Sequence, residues 1–175
     1  RGKFKQGHNL LSSESETQGI LMDNELFVKR ITLKANLEKL AGKINAAEWD
    51  EGNELPEGEY TAESLAWYLQ REGTFFFACF AGSELAGMVS AQLLPRAYGK
   101  HSTLYVDELD TAVNYRRHGV ATALMNEIKK LADETDSDEL WLGTEKTNTG
   151  AQQLYEKLAP DEVEDFVGYT WNLDD

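Results

Sequence analysis

An α/β (α+β) domain, built on a mixed sheet with helices on both faces, is the fold class this sequence predicts. Three features predict it. Two apolar runs, TFFFACFA and ELAGMVSAQLL, are joined by Gly82-Ser83 and read as a β-hairpin. A strand, a long helix and another strand follow between residues 102 and 144. Two segments ahead of the hairpin, 34–48 and 61–71, place apolar residues at helical spacing. At 175 residues the chain suits one domain able to bury its own core, and residues 25–175 show no repeat or linker that would divide it.

The elements follow in order. Residues 1–24 mix Gly, Ser, Gln, Glu and Asn without periodicity, so they are expected to be a flexible extension, with Met22 as a natural start. ELFVKRITL (25–33) alternates as a strand does. Leu37, Leu40, Ala41, Ile44 and Ala47 mark the first helix. An acidic loop, EWDEGNELPEGEY, leads to the second, where Thr61 is the expected N-cap. Ser64 stands where a capping box wants Glu or Gln, so the reading grants only half of that motif. After the hairpin, STLYVDELDTAV is a strand, and residues 118–134 carry Val120, Ala123, Leu124, Ile128, Leu131 and Ala132 on one helical face. DELWLGT (138–144) reads as a buried strand, TNTGAQQLYEKLA as a short helix, and EDFVGYTWNL as a closing strand.

Composition removes several function classes. A formal charge of −14 argues against nucleic acid, whose phosphates require a basic face, and it suits a cationic substrate. No apolar run reaches the roughly 18 residues of a membrane span, and no signal-peptide pattern opens the chain, so a cytoplasmic location is expected. The single cysteine, Cys79, excludes an internal disulfide and a multi-cysteine zinc site, and its apolar neighbours make it a buried small hydrophobe. The three histidines lack ligand spacing, so no metal is expected.

Against that acidic balance, YRRHGVATAL (115–124) gathers positive charge where a strand turns into a helix. The first N–H groups of a helix have no internal partner, and the helix dipole adds partial positive charge there. Gly119 and the small Ala121 let an anion approach that backbone, while Arg116, Arg117 and His118 add donors. The sum is a cradle for a pyrophosphate. A P-loop is excluded because Met88, not lysine, follows Gly87, and no G-x-G-x-x-G dinucleotide fingerprint is present.

This segment resembles the signature of the GCN5-related N-acetyltransferase (GNAT) superfamily, whose Q/R-x-x-G-x-G/A loop is matched by Arg116, Gly119 and Ala121. A second piece, N-T-G-A-Q-Q-L-Y-E-K-L, matches the family's N-x-x-A-x-x-L/F-Y-x-K-x-G helix at Asn148, Ala151, Leu154, Tyr155 and Lys157. Ala159-Pro160 replaces its final glycine. The run E-L-D-T-A-V-N-Y-R-R-H-G-V-A-T-A-L is similar, more narrowly, to type I aminoglycoside 3-N-acetyltransferases. The resemblance covers roughly 26–173 and is most specific over 104–159. It implies a mostly antiparallel sheet of six to seven strands in which parallel strands 4 and 5 splay apart to admit acetyl-coenzyme A (acetyl-CoA).

What the resemblance implies for the site is specific. Backbone N–H groups from Arg117 through His118, Gly119, Val120 and Ala121 to Thr122 would hold the pyrophosphate, with Arg116 beside them. Main-chain groups at Leu109 and Thr111 would pair with the pantetheine arm, and Asn148 and Ala151 would line its other side. The acceptor amine, with an ordinary pKa of about 10.4 for a lysine-like group, must lose a proton before attack. Glu108 is the favoured base and Asp107 its rival, with Asp110 third; each could instead be an ordinary ion-pair partner. Alternation puts Glu108 and Asp110 on one side and Asp107 on the other, unless a bulge intervenes. Tyr155 matches the family tyrosine that protonates the leaving thiolate.

The acidic loop supplies the expected acceptor contacts. Glu54, Glu57, Tyr60 and Asp110, with Trp49, Asp50, Glu51, Glu59, Trp67 and Tyr68 nearby, suit a small cationic amine such as an aminoglycoside. A polyamine or a protein amine is the alternative, and a non-catalytic acyl-CoA-binding sensor is the alternative of another class. A homodimer is expected, through an exposed sheet edge or the terminal strand.

Overall fold

In the computed structural model the described residues are 25–49 and 58–173. A five-stranded sheet in the order β1-β2-β3-β4-β5 forms the middle layer: β1 Leu26–Ile31, β2 Thr74–Ala81, β3 Glu84–Pro95, β4 Ser102–Thr111 and β5 Glu139–Trp141. The first four pair antiparallel and β4 pairs parallel with β5. Helices α1 (Leu37–Ala46) and α2 (Ala62–Leu69) precede the hairpin, α3 (Val120–Glu134) links β4 to β5, and α4 (Thr149–Lys157) follows.

Period-two alternation along β2 divides the core. Phe77 and Cys79 face α3 and join Val89, Leu104, Val106, Val120, Leu124, Ile128 and Leu131. Phe76 and Ala78 face the other way and meet Leu40, Ile44, Trp49 and Leu65 from α1, α2 and the residues after α1. The helices therefore cover both faces, as the apolar spacing predicted. Burial raises the Cys79 thiol to about 11, which fits a packed, unreactive side chain.

Local chemistry sets the helix starts. Asn36 caps α1 by accepting from the Lys39 N–H at 2.9 Å. Thr61 and Ser64 form a complete capping box, because the Ser64 hydroxyl accepts from the Thr61 N–H at 2.9 Å. That corrects the half-box reading: a serine at this position reaches the backbone as a longer Glu or Gln would.

Three expectations about strands are also corrected. The described residues hold five strands rather than six or seven. The expected strand over 138–144 shrinks to Glu139–Trp141, half-buried rather than buried, because only Thr103–Tyr105 offer it a ladder partner. The closing strand over 164–173 does not form; the tail touches the body through the Lys146–Asp165 ion pair and a tilted contact of Phe166 on Trp141. Residues 1–24, for which a flexible extension was expected, lie outside the described residues.

Two backbone features position the site. Pairing of β4 with β5 ends at Tyr105–Trp141, while β4 continues to Thr111 on β3 alone. This is the splay expected between strands 4 and 5. In addition, Ser90 pairs with Glu108 and Ala91 with Val106, so Asp107 is an extra residue, a β-bulge in β4.

Candidate active site

The strand-to-helix corner after β4 leaves backbone donors open. A 3₁₀ turn, Val113–Tyr115, swings the chain off the sheet, and Arg117 and Gly119 then take left-handed conformations with φ of 67° and 83°. Left-handed residues in close succession turn consecutive N–H groups toward a common point. Gly119 is the N-cap of α3, no side chain caps the helix, and space is open around the position a Cβ would occupy. The first N–H groups of α3 thus keep their donor capacity at the positive end of the dipole. These are the features a diphosphate requires.

The side chains at this corner have more particular roles than the sequence suggested. The Arg116 guanidinium donates to the Trp49 carbonyl. The His118 ring nitrogen Nδ1 lies 2.8 Å from the Arg116 carbonyl, folding that imidazole back on its own turn. Val120 is a core residue and offers only its backbone, whereas Arg117 is exposed. Ala121 and Thr122 are half-buried in the first turn of α3. Leu109 and Thr111 lie on the part of β4 that β5 leaves, with the Leu109 side chain packed toward α3. Asn148 caps α4, accepting from the Ala151 N–H at 3.0 Å, a structural task the motif match did not reveal.

The bulge decides how the carboxylates face. Alternation alone would separate Asp107 from Glu108. With the extra residue inserted, Leu109 joins the α3 side, and Glu108 and Asp110 stand opposite Ser90 and Met88 on the α1/α2 side. Asp107 accepts a long hydrogen bond of 3.4 Å from Gln92. Both Asp107 and Glu108 act on the Tyr68 hydroxyl: burial, then the Asp107 charge, push it up to about 12, with a smaller push from Glu108. Tyr68 donates to the Ala91 carbonyl at 3.0 Å.

Glu108 is gripped from across the site. The Tyr60 hydroxyl donates to its Oε2 at 2.9 Å, a charge-assisted bond. Tyr60 in turn is held by Asn45 on α1, which donates to the Tyr60 carbonyl at 2.7 Å and accepts from the Tyr60 N–H at 2.9 Å. Tyr60 was expected to meet the acceptor; the structure joins it directly to the favoured base. Tyr155, on α4, has its hydroxyl raised by burial and then by the charge of Asp110, so it stays protonated at neutral pH. Asp110, expected on the acceptor side, lies within electrostatic reach of Tyr155.

The acidic loop is represented only at its ends. Glu54 and Glu57, with Asp50 and Glu51, lie outside the described residues. Trp49 is not an acceptor face: it is buried, and its indole N–H donates to the Ile44 carbonyl at 2.8 Å. Trp67 is exposed and carries the Arg71 guanidinium 3.7 Å from its ring centroid. Asn45 and Ser90 belong to the site, yet neither has a sequence signal; each is brought in by tertiary contact alone. Among the described residues, no group of His, Cys, Asp and Glu could hold a metal, and no helix is long and apolar enough to cross a membrane.

Comparison with known proteins adds to this geometry. The sequence model of the acetyltransferase (GNAT) family matches residues 41–159. An uncharacterized N-acetyltransferase, YedL, from Escherichia coli (strain K12) is 31% identical over 96 residues, which are 54% of this chain and 57% of YedL. The chain thus matches somewhat over half the length of that curated relative. Among solved structures, an aminoglycoside acetyltransferase, meta-AAC0020, from an uncultured soil metagenomic sample superposes with a TM-score of 0.75 at 19% identity, covering 87% of this chain and 99% of the other. A complex of meta-AAC0020 with sisomicin gives 0.69 at 18% identity, with the same coverage. A ribosomal-protein-alanine N-acetyltransferase from Brucella melitensis biovar Abortus 2308 gives 0.64 at 18% identity, covering 85% and 99%. At these identities the solved structures establish the fold.

Proposed function

The chain belongs to the acetyltransferase (GNAT) family, and from that premise we propose that it transfers acetyl from acetyl-CoA directly to a primary amine of a small cationic acceptor, an aminoglycoside foremost. The observation that carries the reading is Glu108: a carboxylate held by Tyr60 beside a bulge, on the stretch of β4 that lies beyond its pairing with β5 and leads to the uncapped start of α3. A base at that point faces an amine arriving beneath α1 and α2.

Backbone N–H groups from Arg117 to Thr122 hold the diphosphate, and β4 around Leu109 and Thr111 pairs with the amide-bearing arm. Asn148 and Ala151 flank that arm from α4. Acetyl-CoA supplies the acetyl group as a thioester, whose C–S bond breaks as the new C–N bond forms. Glu108 takes the proton the amine must lose, directly or through water. Tyr155 gives its proton to the departing sulfur. Asp107, exposed beside Glu108, and Asp110 add negative charge that attracts a cation, as does the overall charge of −14. The acidic residues Glu54 and Glu57 extend that field. No metal enters this scheme, and a reducing cytoplasm supplies both acetyl-CoA and a setting for the free thiol of Cys79.

The aminoglycoside assignment is supported by the 3-N-acetyltransferase-like run through Arg116 and Gly119 and by the fold shared with meta-AAC0020. A protein amine is the second reading, favoured by the fold shared with the ribosomal-protein-alanine enzyme. Thiol release from acetyl-CoA, read against sisomicin, spermidine and lysine- or alanine-terminated peptides with mass analysis of products, tests both. Acetylated sisomicin is the expected result. Acetylated peptide alone would move the assignment to proteins, and tight acetyl-CoA binding without release for any amine would make the protein a sensor. We also propose a homodimer through the exposed apolar tail; a monomeric mass in light scattering at micromolar concentration would refute it.

A further inference from the structure

We infer that Asn45 is a positioning residue for Glu108, acting through Tyr60. This rests on the reading of Glu108 as the base. A glutamate on a strand has several side-chain torsions and keeps one geometry only if something outside the strand grips it. Here the Tyr60 hydroxyl, 2.9 Å from Oε2, supplies such a grip. Tyr60 itself precedes the N-cap of α2 and belongs to no strand or helix. Its place is set by the Asn45 amide, which contacts both the N–H and the carbonyl of Tyr60, at 2.9 and 2.7 Å. A single hydrogen bond would leave a pivot; two to the same residue fix its backbone in position and direction.

Asn45 has a firm base from which to do this. Its neighbour Ile44 is fully buried, and Ile44 also accepts the Trp49 indole N–H. Just beyond, the Val113 N–H donates to the Glu48 carbonyl at 2.8 Å, and Arg116 donates to the Trp49 carbonyl. The end of α1 is thereby joined to the turn that opens the anion cradle. Asn45 relays that rigidity to the carboxylate, so the base is placed relative to the cradle by a chain of hydrogen bonds and not by β4 alone.

The experiment uses the full chain with acetyl-CoA and sisomicin or spermidine, whichever releases thiol faster. The variants are Asn45→Ala, Asn45→Asp, Tyr60→Phe, Glu108→Gln and the Asn45→Ala/Tyr60→Phe pair. Asn45→Ala is expected to lower kcat roughly five- to thirty-fold and to leave the KM for acetyl-CoA unchanged. Asn45→Asp keeps the acceptor but loses the donor, and should fall between. In the Tyr60→Phe background Asn45→Ala should add little, because the hydrogen bond through which Asn45 reaches Glu108 is already absent. Independently of turnover, the isotope-labelled Tyr60 Cζ resonance, assigned by its loss in Tyr60→Phe, should shift in Asn45→Ala. Losses that multiply in the paired variant, or an Asn45→Ala protein with unchanged kcat and an unmoved resonance, would overturn the inference. Glu108→Gln separates the two claims. Full turnover there overturns the base assignment and this inference with it; a dead Glu108→Gln beside an unaffected Asn45→Ala overturns the inference alone.

Discussion

Single residues carry two kinds of constraint here, one steric and one electrostatic. Gly87 sits on β3 where the start of α3 crosses it, and a Cβ there would lie 2.5 Å from Val120 Cγ1 and 2.7 Å from the Asp110 carbonyl oxygen. One neighbour is buried and the other is backbone, so neither yields cheaply. Gly87→Ala should destabilise the fold by about 1–3 kcal/mol, read as a lowered Tm, and an unchanged Tm would show that the crossing is looser than described. Tyr68 gives the electrostatic case. Its hydroxyl, raised to about 12 by burial and the Asp107 charge, keeps its proton in the folded protein while the unfolded chain releases it near 10. Over that window the folded state binds more protons, so stability should fall as pH rises from 10 toward 12. Tyr105 and Tyr155 are shifted the same way, so Tyr68→Phe should reduce the slope of denaturation midpoint against pH without abolishing it. An identical slope in Tyr68→Phe would refute the placement of Tyr68 beside Asp107.

Elements were legible in the sequence to the degree that their signals were local. The α1 and α3 spacings are written in Leu37, Leu40, Ile44, Leu124, Ile128 and Leu131, and the hairpin in Gly82-Ser83, so each stands where the sequence pattern placed it. The positive corner was legible for the same reason: a glycine at the N-cap and flanking arginines are contiguous. The β4 bulge was not, because register depends on the partner strand; nothing in VDELD says that Ala91 pairs with Val106 while Ser90 pairs with Glu108. The Asn45–Tyr60–Glu108 chain was invisible for a similar reason. It joins α1, the residue ahead of the α2 N-cap and β4, across separations of 15 and 48 residues. Tyr60 was noticed as an aromatic ring, but its use as a hydroxyl donor to Glu108 is a tertiary fact. At the scale of elements, the bulge makes a clear prediction. Deleting Asp107 would remove the bulge and leave Glu108 opposite Ser90 on the α1/α2 side, in regular alternation with Val106 and Leu109, so the deletion should keep most of the turnover while Glu108→Gln lowers it by roughly 10²–10⁴, the usual worth of a general base. Turnover lost in the deletion but kept in Glu108→Gln would count against Glu108 and for Asp107.

Across the whole molecule, the face that carries Glu108 and the turn that opens α3 are connected through the end of α1, while the C-terminal tail adds no strand to the sheet. Val167, Tyr169, Trp171 and Leu173 alternate within EDFVGYTWNL, which is why the sequence predicts a strand there. Yet Trp171 is 76% and Leu173 89% exposed. Alternation records a face suited to burial and does not name the surface that buries it, so a strand expected from pattern alone remains unpaired. An apolar row of this kind marks an interaction surface more often than a free one, which is the basis of the proposed dimer. The central claim concerns the corner after β4: a diphosphate bound by the backbone at the start of α3, with Glu108 facing the amine across β4. A crystal structure of the protein with acetyl-CoA tests it most directly. The diphosphate is expected on the N–H groups of residues 117–122 and the arm against β4 beyond Tyr105. Ordered acetyl-CoA bound elsewhere, with that corner empty, would contradict it.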